Sequence, residues 1–145
     1  MAAGNFTVYN FPKKHFFDGT MDWDTDSHYL HLLKSAYTPA LTHDKWNDVS
    51  AQEVTDGDYA AQAMASEAVN GGTATATAVV DAANVSFGTN VTITARYAVV
   101  RVGTATPGTG DNLVGYVELD TATDVSSTNG DFQVQWNANG LWTVS

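Results

Sequence analysis

The sequence predicts an all-β protein: a single antiparallel β-sandwich, jelly-roll-like, with an irregular N-terminal arm. Three observations carry that reading. Charged residues are only 15% of the 145-residue chain while apolar residues are 43%. A surface made of Thr, Asn and Gly in place of Lys and Glu suits strands and turns better than long exposed helices. Three successive segments alternate apolar and polar residues with period two, which buries one face of a strand and wets the other. Asn-Gly pairs punctuate the same region, and short strands separated by turns make sandwiches or barrels. The length fits one domain.

The first 46 residues hold nine of the sixteen aromatics and four of the six basic residues. Residues 1–17 are read as an arm or contact segment and residues 18–145 as the sandwich. Within the arm, Phe6, Tyr9, Phe11, Phe16 and Phe17 sit beside Lys13 and Lys14 without regular periodicity. Either they plug one end of the sandwich, or they dock on a partner with aromatic anchors and lysines set against an acidic rim.

Further along, Asp18-Gly19 and the run from Asp22 to Ser27 favour turns. His28 to Lys34 is expected to be a strand and Tyr37-Thr38-Pro39 a bend. Thr42 to Val49 is expected to hold one short helical turn with Thr42 as its N-cap. Tyr59 to Val69 is helical by propensity but sits in a β-like chain, and is read as a strand closed by Asn70-Gly71-Gly72. The Ala-Thr alternation at Thr73 to Ala78 is too short to be a repeat.

The periodic segments follow. Val91, Ile93, Ala95, Tyr97 and Val99 alternate with Thr92, Thr94, Arg96 and Ala98 as one long strand. Leu113, Gly115, Val117 and Leu119 alternate with Tyr116, Glu118 and Asp120, and Phe132, Val134 and Trp136 with Gln133 and Gln135. Asn129-Gly130 and Asn139-Gly140 read as hairpin turns. The stretch from Gly103 to Asp111 reads as a mobile loop or a contact arm.

Charge narrows the function. The net charge is −10, with no basic residue after Arg101, so no footprint for a phosphate backbone exists and nucleic-acid binding is not expected. Anionic membrane surfaces are disfavoured for the same reason, and no apolar run is long enough to span a bilayer. The N-terminus has neither a basic nor an apolar leader region, so synthesis in the cytoplasm is expected. With no cysteine, disulfides and thiolate metal sites are excluded.

Candidate chemistry is sparse. Asp22, Asp24 and Asp26 resemble the opening of a calcium loop, but Ser27 and Leu33 stand where an EF-hand needs Gly and Glu; a solvated turn is the preferred reading. His28 and His31 point to opposite faces of a strand, which disfavours zinc. Neither a nucleophile elbow nor a phosphate loop is present. Trp136 belongs to an inward register. Arg96 and Arg101 are each expected to pair with a carboxylate, or one of them to anchor a subunit contact. No cofactor, metal site or catalytic residue is expected.

One resemblance spans nearly the whole chain in order. Gly19-Thr20-Met21-Asp22-Trp23-Asp24-Thr25-Asp26, then His28-Tyr29-Leu30-His31-Leu32-Leu33 and Ser35-Ala36-Tyr37-Thr38-Pro39, resemble the opening of a family of small tailed-bacteriophage virion proteins. Val91 to Val100 is similar to that family's long central strand. Ser126 to Trp136 and Gly140-Leu141-Trp142-Thr143-Val144 resemble its closing hairpin. The resemblance implies a structural part of the virion, with capsid decoration (cement) on the phage head as the expected role. Its partners would be the major capsid protein and further copies of itself in a homotrimer. A receptor- or glycan-binding module of a head fibre or tail is the alternative.

Overall fold

Every residue of the strand His28–Leu33 (β2) except Tyr29 is buried, so this strand has core on both sides. The structure, a computed structural model, describes residues 3–71 and 77–144. Beside β2 stand β1 (Thr7–Val8), β3 (Gln62–Ala63), β7 (Tyr97–Val102) and β8 (Leu113–Glu118). They form one antiparallel sheet in the order β1-β8-β7-β2-β3. A second sheet runs β10-β5-β4, from Trp142–Val144 (β10), Ala78–Asp81 (β5) and Ala68–Gly71 (β4). Val85–Ala95 (β6) and Val125–Val134 (β9) pair as a long two-stranded ribbon. The architecture is all-β, antiparallel and sandwich-like. Among the described residues its strands pair in sets of five, three and two, a pairing that does not by itself establish a jelly roll.

Each face of the five-stranded sheet has its own core. Register puts Leu30 opposite Val100 and Leu32 opposite Ala98 on one face. These pack with Phe87, Ile93, Phe132 and Val134 of the ribbon and with Val80 and Leu141. The other face carries Leu33, Val99 and Leu113, and is covered by Tyr9, Tyr37, Trp46 and Val49. There Tyr9 and Tyr37 share a hydrogen bond of 2.7 Å, and Tyr37 meets His43 Nδ1 at 3.0 Å. Burial pushes the Tyr37 hydroxyl up to about 12.

Covering both faces explains several departures from the sequence reading. The expected single strand over 91–99 is two strands that meet at Arg96, where the chain leaves the ribbon and enters the larger sheet. Arg96 fixes that corner through Glu118 at 2.9 Å and the Thr121 carbonyl at 2.9 Å. Past it, Ala98, Val99, Val100 and Arg101 are buried in succession, because a strand with core on both faces has no wet register. In β8 the pairing steps from Gly115 opposite Val100 to Leu113 opposite Arg101, so Val114 is an extra residue that resets the alternation.

Asn129-Gly130 is no hairpin tip. It lies inside β9 at a register shift, with Asn129 in the left-handed region at φ 47°. Asn139-Gly140 does turn: the Gly140 amide donates to the Asn137 carbonyl. The expected strand over 59–69 is split into β3 and the start of β4 by Ser66 at φ 55°. The helical turn near residue 45 starts later than expected. Lys45, not Thr42, precedes a 3-10 turn at Trp46–Asp48, and the Asp48 carboxylate accepts the amides of Asp44 and Lys45. Asp56 and Asp58 accept the Thr94 and Thr92 amides, which blunts that edge of β6 against pairing with other chains. The Ala-Thr alternation falls largely on residues 72–76, outside the described residues.

The largest correction concerns residues 1–17. From residue 3 onward they are folded into the body instead of forming a separate arm. β1 pairs with β8, Phe6 and Tyr9 are buried, and Asn10–His15 forms a short helix, α1. Pro12 sits in its first turn, where a missing amide is harmless, and Lys13, Lys14 and His15 complement the helix dipole in the last. Gly115 is what lets β1 approach, since a Cβ there would meet the Phe6 ring and the Thr7 carbonyl. We expect Gly115→Ala to lower stability by about 1–3 kcal/mol through overpacking, measured by urea unfolding. Deletion of residues 1–17 should remove a sheet strand and unfold the domain, read by circular dichroism. A soluble, folded β-domain after that deletion would restore the arm.

Candidate functional site

Two places gather polar or aromatic side chains from distant parts of the chain. The first is a buried relay centred on Arg101 of β7, whose side chain is fully enclosed. Its Nε donates to His31 Nε2 at 3.0 Å, one terminal nitrogen donates to Asp111 at 2.5 Å, and the other to the Thr104 carbonyl at 2.6 Å. His31 Nδ1 meets Glu53 at 2.7 Å, and the Tyr59 hydroxyl donates to the same carboxylate at 2.8 Å while accepting the Leu32 amide. Because Arg101 donates to Nε2, His31 is neutral there and its Nδ1 carries the proton toward Glu53.

Burial pushes the His31 pKa down. Burial alone would raise Glu53, but its hydrogen bonds from His31 and Tyr59 hold it below the usual range. Each polar group of the relay is engaged by another, so its chemistry is that of a cross-link. It joins β2, β7, the 3-10 segment ending at Glu53 and the loop after β7. That loop, expected to be mobile or a contact arm, is instead fastened to the core through Asp111, which also accepts the Gly108 amide.

The second place is a cleft of about 640 Å³ between the three-stranded sheet and the N-terminal segment. Its floor follows from register: Val69, Val80 and Trp142 stand in one cross-strand row. The facing wall is Phe16, Phe17, Met21 and Trp23. Trp142 stacks on Phe6 at 5.2 Å and meets Trp23 edge-on at 4.9 Å, while the Trp23 indole donates to the Asp81 carbonyl. One end of the sheet face is thereby closed and the other is open. Lys13 and Asp22 supply the charged rim. Of four large hydrophobics exposed among the described residues, three border this cleft: Phe17 at 81%, Val69 at 53% and Val144 at 41%.

The seven residues singled out in the sequence divide accordingly. Phe6 and Tyr9 are core; Phe11 and Phe16 are half-buried against it; Lys13, Lys14 and Phe17 are exposed. Only Lys13, Phe16 and Phe17 reach the cleft. Val69 and Val80 were missed, and Trp142 and Val144 were noted only within the closing segment of the resemblance, since only the pairing of β4, β5 and β10 brings them there. Arg96 and Arg101 each pair with a carboxylate, as the sequence suggested. The Asp22–Asp26 run is a closed turn: Asp22 accepts the Asp24 amide and Asp26 the Asp22 amide. No helix is long and apolar enough to cross a membrane among the described residues. No protein-family model, curated protein or solved structure matches the chain.

A second histidine of β2, His28, is buried with no hydrogen bond to either ring nitrogen among the described residues. Its nearest carboxylate, Glu67, lies 3.6 Å away, too far for a hydrogen bond. Burial lowers its pKa against the pull of Glu67 and Asp26. Both histidines are therefore harder to protonate folded than unfolded, and the unfolded chain takes up protons first as pH falls below about 6.5. Stability should be full above that pH and fall below it, by at most about 1.4 kcal/mol per pH unit for each histidine. Thermal unfolding between pH 7.5 and 5 checks this. His28→Leu should flatten the dependence, and an unchanged slope would remove His28 from the account.

Proposed function

We propose that this chain is a non-catalytic structural component of a tailed-bacteriophage particle, a capsid decoration (cement) protein that stabilises the head shell. One observation carries the reading beyond the sequence resemblance. An acidic, cross-linked β body places three of the four large hydrophobics exposed among the described residues around one cleft. Scattered surface hydrophobics are ordinary, whereas a clustered patch marks a contact surface. Decoration needs only that: buried area, a polar rim and a body that does not deform. The major capsid protein is the shell partner in this reading.

The receptor- or glycan-binding alternative has its own supporting observation. A cleft of about 640 Å³ lies within the usual range for small ligands, and the exposed Phe17 ring offers a stacking face. Against it, Phe6 and Trp23 already occupy the Trp142 ring. Counting copies in purified virions separates the two. Decoration predicts a copy number near that of the major capsid protein. A handful of copies at fibre or tail tips, with binding on a glycan array, would support the alternative, and absence from the particle would end both.

A further inference from the structure

We infer that the open cleft is filled by a second copy of this chain, in a two-fold pair that inserts each Phe17 into the other's cleft. The inference does not depend on the virion reading; within that reading it gives this face to the contact between copies and leaves the shell to be met by the remaining surface. Phe17 is the most exposed large hydrophobic among the described residues, at 81%, and it stands on the rim of the cleft that it would fill. Knob and hole on one face are self-complementary. A two-fold axis then satisfies both at once, because the same patch meets itself with its halves exchanged. A ring of three needs knob and hole on faces inclined to one another, so this geometry favours a pair over the trimer expected from the sequence.

The charges agree with that occupant. Two chains of net charge −10 repel, and a foreign anionic partner would be repelled too. Yet the cleft region carries both signs. Among the described residues Lys13 has no carboxylate partner and only Asn10 at 3.5 Å, and Lys14 is held loosely, 4.0 Å from Asp18. Asp22 lies on the same rim. A two-fold pairing that brings Lys13 of each copy to Asp22 of the other would offset the repulsion where the surfaces touch. A basic partner would find no such match at this face and would be drawn to the acidic remainder of the surface.

The test is sedimentation of the full chain at concentrations up to roughly 100 µM, where a contact of micromolar strength is saturated. The wild type should sediment at twice 15.4 kDa. Phe17→Glu and Val69→Glu should each weaken pairing at least about tenfold, as loss of a central anchor does, with thermal unfolding of the monomer confirming that both remain folded. Leu41→Glu is the control: Leu41 is the remaining exposed large hydrophobic, at 44%, and lies outside the cleft, so its variant should stay paired. A monomeric or trimeric wild type overturns the proposal. So does a Phe17→Glu variant that pairs normally, or a Leu41→Glu variant that alone dissociates.

Discussion

Arg101 is a guanidinium with no exposure to water, in the middle of a β-sheet. Taking such a charge out of water costs several kcal/mol, and it is tolerable only when a counter-charge and further acceptors surround it. That requirement organises a large part of the molecule. Asp111 must reach in from the loop after β7, Thr104 must turn its carbonyl inward, and His31 must stay neutral so that Nε2 can accept. Glu53 and Tyr59 then fix the His31 ring from the other side. The loop that looks least ordered in composition is therefore tied to the core at Thr104 and Asp111. The Trp46 and Tyr29 rings flank the guanidinium at 5.9 and 5.4 Å, which adds cation–π contacts to the enclosure.

A sheet with such a group on one face cannot leave that face to solvent. The covering layer comes from Tyr9 and the segment from Tyr37 to Val49, and the opposite face is covered by the ribbon. The N-terminal segment thus serves both sides: Tyr9 packs into one core and Phe6 into the other. Its aromatics run out of interior at Phe17, which remains outside with Val69 and Val144 near it. This exposed apolar face is what is left after two cores have been filled. Its rigidity comes from the elements behind it, since Trp23, Trp142 and Phe6 hold one another in place.

Legibility in the sequence tracked the number of covered faces. Where one face is wet, period two was a sound guide: Phe132 and Val134 in β9 and Ile93 and Ala95 in β6 point inward as their spacing indicated. Where both faces are covered, alternation carries no information. Ala98 was assigned to a wet face and is buried like its neighbour Val99, whereas in β8 Gly115, Val117 and Leu119 are more buried than Tyr116, Glu118 and Asp120, as their spacing indicated. Turn residues were similarly ambiguous. Asn-Gly supplies a left-handed backbone that serves a hairpin tip or a bulge equally well, so Asn129-Gly130 looked like a turn and is a bulge.

Composition and patterning by themselves determined the class: an antiparallel, all-β, acidic, cysteine-free body in which each arginine finds a carboxylate. Those properties depend on local propensity and on overall charge, which a linear sequence records. Tertiary structure decided the rest. It turned residues 3–17 from an arm into a strand and a plug, because whether an aromatic cluster is buried depends on what β8 offers at Gly115. It also assembled the cleft from Phe17, Val69, Trp142 and Val144, residues up to 127 positions apart in a chain of 145. Strand register sets that adjacency, and register comes from non-local pairing and from bulges whose positions no local pattern specifies.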